Sequence, residues 1–190
     1  SSNPPTPDRR SMTRSVRDVL TDAQRIGALG PRPIDEVIEH ARAFVDALPP
    51  DTQNVIDLGT GAGIPGLVIA EDRPDVVVTL VDRRAKRTDA LSIAVAGLGW
   101  RDRVAVVCAD VETLTRDPRH AGAYDAVVSR GFGPHETTLR LSTLLARPGG
   151  VVILSEPPAG TPDRWRPELL DELGVGTADR LGPVARFVRR

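Results

Sequence analysis

The stretch Val55-Ile-Asp-Leu-Gly-Thr-Gly-Ala-Gly-Ile-Pro-Gly66 places four glycines directly after a short, strand-like apolar run. Glycine adopts left-handed backbone angles at low cost and lets a ligand approach bare backbone. Apolar residues resume after Gly66 and predict a helix through about Ala70. A glycine loop between a strand and a helix is where an open α/β sheet binds its ligand, against the amides of the helix start.

Working outward from this unit, the sequence alternates short apolar runs with segments of helical periodicity. Such an alternation predicts a mostly parallel sheet with helices on both faces, and right-handed crossovers make it a doubly wound, Rossmann-like α/β fold. Around Pro183, two short strand-like pieces predict a C-terminal antiparallel hairpin at the sheet edge. The predicted strands are 54–58, 76–81, 104–108, 126–128, 151–154, 177–180 and 185–189, and the predicted helices between them are 84–98, 135–146 and 168–173.

Two further helices are predicted before the glycine loop, at 12–29 and 34–48, where apolar residues recur on one face. The polar, proline-rich residues 1–11 are expected to be a disordered lead and do not have the pattern of a signal peptide. We therefore expect one domain over 12–190, with N-terminal helices at 12–50 and a Rossmann-like core at 51–190.

Composition narrows the function classes. A formal net charge of -1 means that any nucleic-acid contact depends on a local basic patch and not on a globally basic surface. The single cysteine, Cys108, leaves no internal disulfide, which fits a reducing, cytoplasmic compartment. No apolar run is long enough for a membrane span, and no His, Cys and carboxylate group has metal-ligand spacing, so we expect neither a membrane nor a metal partner.

The glycine loop allows two interpretations. The segment Gly61-Ala-Gly-Ile-Pro-Gly66 satisfies the dinucleotide pattern, with Asp82 at the right distance to hold a ribose. Pro65 counts against that interpretation, because a pyrophosphate needs free amides at the helix start. In the other interpretation Asp57, two places before Gly59, resembles the acidic residue of motif I in class I methyltransferases. In that family the loop holds the methionine part of S-adenosylmethionine, and the position of Asp82 takes the ribose hydroxyls.

Later features favour the methyltransferase interpretation. Ala109-Asp-Val-Glu112 follows the third strand, where methyltransferases of this class place adenine contacts. Leu144-Leu-Ala-Arg-Pro-Gly-Gly150 precedes the fifth strand and resembles the "LkpGG" turn of these enzymes. Taken by itself, Pro148-Gly149-Gly150 is equally explained as a helix stop and a turn.

Three segments together give a narrower resemblance. Asp57-Leu-Gly-Thr-Gly-Ala-Gly-Ile-Pro-Gly66, Leu80-Val-Asp-Arg-Arg-Ala-Lys-Arg87 and Ser129-Arg-Gly-Phe132 resemble the GidB (RsmG) family from about His40 onward. Members of that family methylate guanine N7 in bacterial small-subunit ribosomal RNA. The resemblance implies the cofactor S-adenosylmethionine, the small ribosomal subunit or its RNA as partner, and cofactor contacts at Gly59, Ile64, Val111, Glu112 and Arg130.

The chain departs from the family pattern at several points. It reads Ser155-Glu156-Pro157 where the family has a "KG", has Asp110 where the family has an arginine, and has no "NLT" segment in its N-terminal helices. His40 is the candidate match for the family's histidine before the core. These departures leave open a second function, the methylation of a small metabolite on the same core. A third, of another class, is an NAD-binding oxidoreductase or a non-catalytic cofactor-binding module.

The candidate site residues follow from these patterns. Arg130, after the fourth strand, is expected to hold the cofactor carboxylate or a substrate phosphate, because its planar fork suits either; the alternative is a surface arginine paired with Asp125 or Glu156. Guanine N7 has a free lone pair, so no general base is predicted. The predicted cofactor contacts are Asp57, Gly59, Gly61, Gly63, Ile64, Asp82, Arg83, Asp110, Val111, Glu112 and Arg130, and the predicted substrate contacts are Lys86, Arg87 and His135.

Overall fold

The computed structural model describes residues 13–190, and a single seven-stranded sheet runs through them. Residues 1–12 are outside this range, so the structure does not test the disordered lead expected at residues 1–11 or the helix start predicted at Met12. The helices are α1 (Val16–Arg25), α2 (Ile34–Ala47), α3 (Gly66–Asp72), α4 (Ala85–Gly97), α5 (Val111–Arg116), α6 (His135–Leu145) and α7 (Pro167–Leu173). The strands are β1 (Asn54–Leu58), β2 (Val77–Asp82), β3 (Val104–Cys108), β4 (Tyr124–Ser129), β5 (Ala146–Ser155), β6 (Asp179–Leu181) and β7 (Val184–Val188).

The strand order, β3-β2-β1-β4-β5-β7-β6, confirms the predicted fold class. β1 to β5 are parallel, whereas β7 runs antiparallel to both β5 and β6. The order reverses between β1 and β4, because the chain first winds outward to β3 and then returns to the other side of β1. In open α/β sheets the crevice at such a switch point, beyond the carboxyl ends of the strands, is the ligand site.

Alternating side chains divide the core into two layers, one on each face of the sheet. Val55 packs into a layer formed with α1 to α4, while its neighbour Ile56 packs into the opposite layer with α5 to α7. Both faces of these strands are buried, which explains the continuous hydrophobic runs in the sequence. The first layer also contains Phe44 of α2, fully buried, so the N-terminal helices are part of the main core.

Of the two N-terminal helices, the first ends earlier than predicted. α1 begins at a capping box formed by Ser15 and Asp18, and it ends at Arg25, four residues before the predicted end at Leu29. Gly27, at φ 74°, turns the chain away after that point. α2 agrees with prediction to within one residue, and its last carbonyl, that of Ala47, accepts a hydrogen bond from Arg186 of β7 at 3.1 Å.

The segment before the fifth strand also differs from prediction. Leu144–Gly150 is predicted as a helix stop and turn, yet α6 passes directly into β5 at Ala146. Ala146 pairs with Tyr124 and Val151 pairs with Ala126, so β5 bulges between these two pairs. Gly150 lies in the bulge, where a Cβ would stand 2.9 Å from the carbonyl oxygens of both Arg147 and Asp125. Glycine is required there by close backbone approach, which no local pattern reveals. The short helix α5 was not predicted either.

Replacing Gly150 by alanine tests this packing. We expect the free energy of unfolding of Gly150→Ala to fall by about 1–3 kcal/mol, because backbone carbonyls must move to admit the methyl group. Urea denaturation measures it. The matched control is Gly30→Ala, where a Cβ meets nothing within 4 Å and the change should stay within about 0.5 kcal/mol. Equal stabilities for the two variants would contradict the close packing at the bulge.

Candidate cofactor site and the cleft beside it

The glycine loop is closed by a buried carboxylate. Asp57 lies on β1 without solvent exposure, and its Oδ2 accepts hydrogen bonds from Thr60 Oγ1 at 2.6 Å and from the Gly66 amide at 2.8 Å. Gly66 has no room for a side chain, because a Cβ would collide with Leu80 and stand 2.8 Å from Asp57 Oδ2. The carboxylate thus ties the end of β1, the loop and the start of α3 into one unit.

The other loop glycines have positive φ angles, 65° at Gly59, 58° at Gly61 and 97° at Gly63. A Cβ on Gly59 would stand 2.7 Å from the ring of Phe132, and one on Gly63 would stand 2.5 Å from Leu67. Gly61 has open space on that side, apart from the Arg87 guanidinium at 3.6 Å. Of these three glycines, Gly59 lines the cavity at the carboxyl ends of the strands, whereas Gly61 borders a groove between α1 and α4.

The loop geometry argues against the dinucleotide interpretation. Pro65 precedes α3 and has no N–H, and the Gly66 amide is already bonded to Asp57. The amides of Gly63 and Ile64 both donate to the Thr60 carbonyl. The Leu67 amide donates to the Gly63 carbonyl, so no residue from Gly63 to Leu67 has a free amide for a pyrophosphate.

Asp82, at the end of β2, is fixed from two sides by backbone amides. Its Oδ2 accepts from Gly61 N at 3.1 Å and its Oδ1 accepts from Arg84 N at 2.9 Å. A carboxylate has about four acceptor positions, so two remain for further donors. An oriented carboxylate with free acceptor capacity beside a glycine loop is the arrangement that binds the two hydroxyls of a ribose.

A cavity of about 300 Å³ opens above these groups, at the carboxyl ends of the strands. Its lining includes Asp82, Asp110 and Val111, which the sequence predicts as cofactor contacts, and four residues outside the predicted set, Arg84, Ala109, Gly131 and Phe132. Phe132 was quoted as part of a motif, but nothing in the sequence indicated that its ring covers Gly59. The lining residues are Gly59, Asp82, Arg83, Arg84, Arg87, Ala109, Asp110, Val111, Gly131 and Phe132.

Six predicted cofactor residues lie outside this cavity lining; Gly61 borders a groove between α1 and α4, and Arg130 faces a second cleft described below. Asp57 is beneath the loop, and Gly63 and Ile64 turn toward the core. Glu112 is exposed on α5, 3.9 Å from Arg116, whereas Asp110 caps that helix and faces the cavity.

The two basic residues of α4, Lys86 and Arg87, have different surroundings. Arg87, predicted to contact substrate, lies 3.6 Å from Asp82 Oδ2 and lines the cavity with Asp82. Lys86 is exposed and instead lines an apolar groove between α1 and α4. Arg87 thus faces the candidate cofactor cavity. Lys86 faces the groove between α1 and α4 and is accessible to a partner there.

Arg130 ends β4 and faces a second cleft, of about 460 Å³, which we call the acceptor cleft. It touches the cofactor cavity at Gly131, which lines both spaces. Burial lowers the pKa of Arg130, and the nearby Asp57 carboxylate opposes that shift. The acceptor cleft is lined by Leu29, Gly30, Pro31, Arg32, Val37, His40, Arg130, Gly131, Ser155 and Glu156.

Within residues 13–190, neither carboxylate considered as a partner for Arg130 is paired with it. Asp125 pairs with Arg147 at 2.5 Å, and Glu156 pairs with Arg164 and Arg180, each at 3.0 Å. Arg130 therefore keeps its guanidinium available for a ligand anion.

His135 begins α6 and packs edge-on against Trp165, with ring centroids 5.3 Å apart. Trp165 is itself buried against Phe187, and its Nε1 donates to Glu156 Oε1 at 2.8 Å. The tryptophan is a packing residue, and His135 lies outside the lining of both the cavity and the acceptor cleft.

Two features are absent from residues 13–190. No helix there combines the length and apolar character of a bilayer span. No group of three or more His, Cys, Asp or Glu side chains is arranged to hold a metal ion.

The strand order, the glycine loop closed by Asp57 and the oriented Asp82 define a class I methyltransferase fold. Solved structures agree: an S-adenosylmethionine-dependent O-methyltransferase from Thermotoga maritima matches with a TM-score of 0.62 at 16% identity, over 93% of this chain and 71% of that one. An O-methyltransferase family protein from Burkholderia thailandensis matches at 0.60 and 17% identity, over 81% and 57%. SpnF, a cyclase, matches at 0.59 and 17% identity, over 89% and 76%, so the fold alone does not define the reaction.

Sequence comparison identifies the family. Residues 11–156 match the sequence model of GidB, rRNA small subunit methyltransferase G, and the chain belongs to the GidB family. A ribosomal RNA small subunit methyltransferase G from a Nocardioides species is 36% identical over 77% of this chain and 58% of its own length. One from Salinispora tropica is 34% identical over 89% of this chain and 73% of its own length. The chain therefore spans only part of the length of these relatives.

The Asp57 clamp predicts a pH dependence of stability. Burial raises the pKa of Asp57 to about 7, although hydrogen bonds from Thr60 and Gly66 oppose the rise. A pKa raised in the folded state gives stability that is full below the unfolded pKa of about 3.9 and lost as pH rises through about 7.

We expect the free energy of unfolding to fall between pH 5 and pH 8 by about 2 kcal/mol more in the parent protein than in Asp57→Asn. The amide retains an oxygen to accept the loop hydrogen bonds but does not ionise. Urea denaturation at both pH values measures the difference. If the free energy of unfolding changes equally with pH in the two proteins, Asp57 is ionised at both pH values and burial does not raise its pKa.

Proposed function

We propose that this protein is an S-adenosylmethionine-dependent methyltransferase that modifies guanine N7 in small-subunit ribosomal RNA, as the resemblance to its family implies. One observation carries the proposal: the Asp57-clamped loop and Asp82 form a single preorganised unit at the sheet switch point of a GidB-family chain. Such a substrate would locate the protein in the cytoplasm.

The cofactor contacts are assigned by chemistry. Asp82 accepts from the ribose hydroxyls with its two unused acceptor positions. Asp110 and Val111 border the adenine, and Gly59, which lines the cavity on the loop side, borders the methionine part. Arg130 lines the acceptor cleft and not the cavity, and it pairs with a substrate phosphate, because it has no carboxylate partner among the described residues.

The bound cofactor supplies a methyl group already activated by its sulfonium. The carbon–sulfur bond breaks as the lone pair of guanine N7 forms the new bond, so the positive charge moves to the base and S-adenosylhomocysteine leaves. No proton is removed, and the protein's task is to hold the base in line with the methyl group. A rigid loop on one side of Gly131 and the acceptor cleft on the other suit that task.

The distribution of unpaired cations supports an RNA substrate. Most arginines of the described chain have a carboxylate within 4 Å, for example Arg140 with Glu172 and Arg190 with Asp171. Apart from Arg87, which pairs with Asp82, the cations that line the cavity and the acceptor cleft have none within residues 13–190. A nearly neutral protein can bind phosphates through such a local set of free cations. The set is Arg32, Arg83, Arg84 and Arg130, and Lys86 lies beside it in the groove between α1 and α4.

A second candidate, methylation of a small metabolite, is favoured by Glu156. This residue replaces the family's "KG" lysine with a carboxylate, and the carboxylate ties Arg164 and Arg180 into an internal network. Glu156 and Asp163 together pair with two cations near the acceptor cleft, which lowers its attraction for a polyanion.

Transfer of labelled methyl from S-adenosylmethionine separates the two candidates. The acceptors are small ribosomal subunits that lack the family's modification, their naked RNA, and a metabolite extract. We expect label in the RNA, released as 7-methylguanine on digestion. Label found only in the metabolite fraction would reject the RNA substrate and retain the methyltransferase.

A further inference from the structure

The acceptor cleft contains a histidine that the proposed chemistry leaves unused. His40 lies on α2, partly buried, and its ring packs against Phe44 with centroids 6.0 Å apart. His40 lines the acceptor cleft and also the neighbouring space below the 156–162 loop. It therefore borders the route by which an acceptor reaches Gly131.

The two ring nitrogens of His40 have different environments. Nδ1 is buried and has no hydrogen-bond partner within residues 13–190, whereas Nε2 is not among the buried, unpartnered atoms, and the ring lines the cleft. Burial lowers the pKa of His40, and the charges of Arg130 and then Arg32 lower it further. The ring is therefore neutral at physiological pH and carries one N–H.

The position of that single proton follows from the burial of Nδ1. Orphaned buried N–H groups are rarer in proteins than under-satisfied acceptors, so the buried nitrogen keeps its lone pair. The proton then resides on Nε2, and His40 is a fixed, uncharged hydrogen-bond donor that faces the cleft.

The carboxylate of the cleft does not compete for this donor. Glu156 Oε1 accepts from Arg164 at 3.0 Å and Trp165 at 2.8 Å, and its Oε2 accepts from Arg180 at 3.0 Å. The side chain is only 8% exposed. Arg32, Arg130 and His40 thus present donors to the cleft, which fits a ligand group that is rich in acceptors.

We propose that His40 reads the acceptor base by donating from Nε2 to the carbonyl oxygen O6 of guanine, beside the reacting N7. The inference rests on the proposed function. Guanine has a hydrogen-bond acceptor, O6, at position 6. Adenine has an amino group there, which is itself a donor and so cannot accept a hydrogen bond from His40 Nε2–H. A single bond to O6 leaves the N7 lone pair free for the methyl group.

The test compares substrate analogues and His40 variants in the full chain. RNA substrates carry guanine, inosine, 2-aminopurine or adenine at the target position; inosine keeps O6 and N7, whereas 2-aminopurine keeps N7 but has no oxygen at position 6. We expect the parent protein to prefer guanine and inosine over 2-aminopurine by about tenfold in kcat/KM, the worth of one hydrogen bond. His40→Ala should abolish that preference.

Two variants serve as controls. His40→Gln keeps a side-chain N–H donor and should retain part of the preference. Glu39→Ala, a neighbour on α2 that is exposed and outside both spaces, should retain all of it. S-adenosylhomocysteine affinity, measured by calorimetry, should be the same in every variant, and thermal melting verifies the fold.

Each failure has a distinct signature. If the parent protein labels no RNA guanine, the proposed function fails, and the reading of O6 fails with it. If the parent is active but His40→Ala keeps the preference for guanine over 2-aminopurine, only the inference about His40 is overturned. A loss of S-adenosylhomocysteine affinity in His40→Ala would also overturn it, because the histidine would then belong to the cofactor site.

Discussion

The hydrogen bonds to the buried carboxylate of Asp57 are the interaction on which the site depends. They join the end of β1 to Thr60 and to the Gly66 amide, so the loop between these points has a fixed path. Burying a carboxyl group is costly unless hydrogen bonds compensate or the group is neutral. Both forms of compensation apply to Asp57. Two donors bond to its Oδ2, and burial raises its pKa to about 7, which favours the neutral form.

The fixed loop determines the rest of the geometry. Gly61 donates to Asp82, which orients the carboxylate that faces the cavity, and Phe132 from the β4 loop lies over Gly59. The residue that joins the cavity and the acceptor cleft is Gly131, at the switch point between β1 and β4. The N-terminal helices contribute Arg32 and His40 to the cleft, so they form part of the site and not only of the core. Cofactor and acceptor would thus meet at one strand end from opposite sides.

The sequence predicted what depends on local pattern. The strands, the glycine loop, Asp82 and the C-terminal hairpin all follow from periodicity or from a motif, and the structure contains them. The partners of long side chains were not predictable, because they are set by residues distant in sequence: Arg87 turns to Asp82, and Glu156 turns to Arg164 and Arg180. Arg32 was missed for the same reason, since only the packing of α2 brings its segment to β4. The bulge at Gly150 depends on backbone atoms of another strand, which leave no signal in side-chain pattern.

The central claim is that the clamped loop binds S-adenosylmethionine and not a dinucleotide, and calorimetric titration with S-adenosylhomocysteine and with NAD tests it most directly. The account predicts one site for S-adenosylhomocysteine, no heat with NAD, and loss of binding in Asp82→Ala, because the carboxylate that accepts from the ribose hydroxyls is then absent. Thermal melting verifies the fold of the variant. Binding of NAD without S-adenosylhomocysteine, or full affinity in Asp82→Ala, would contradict the account.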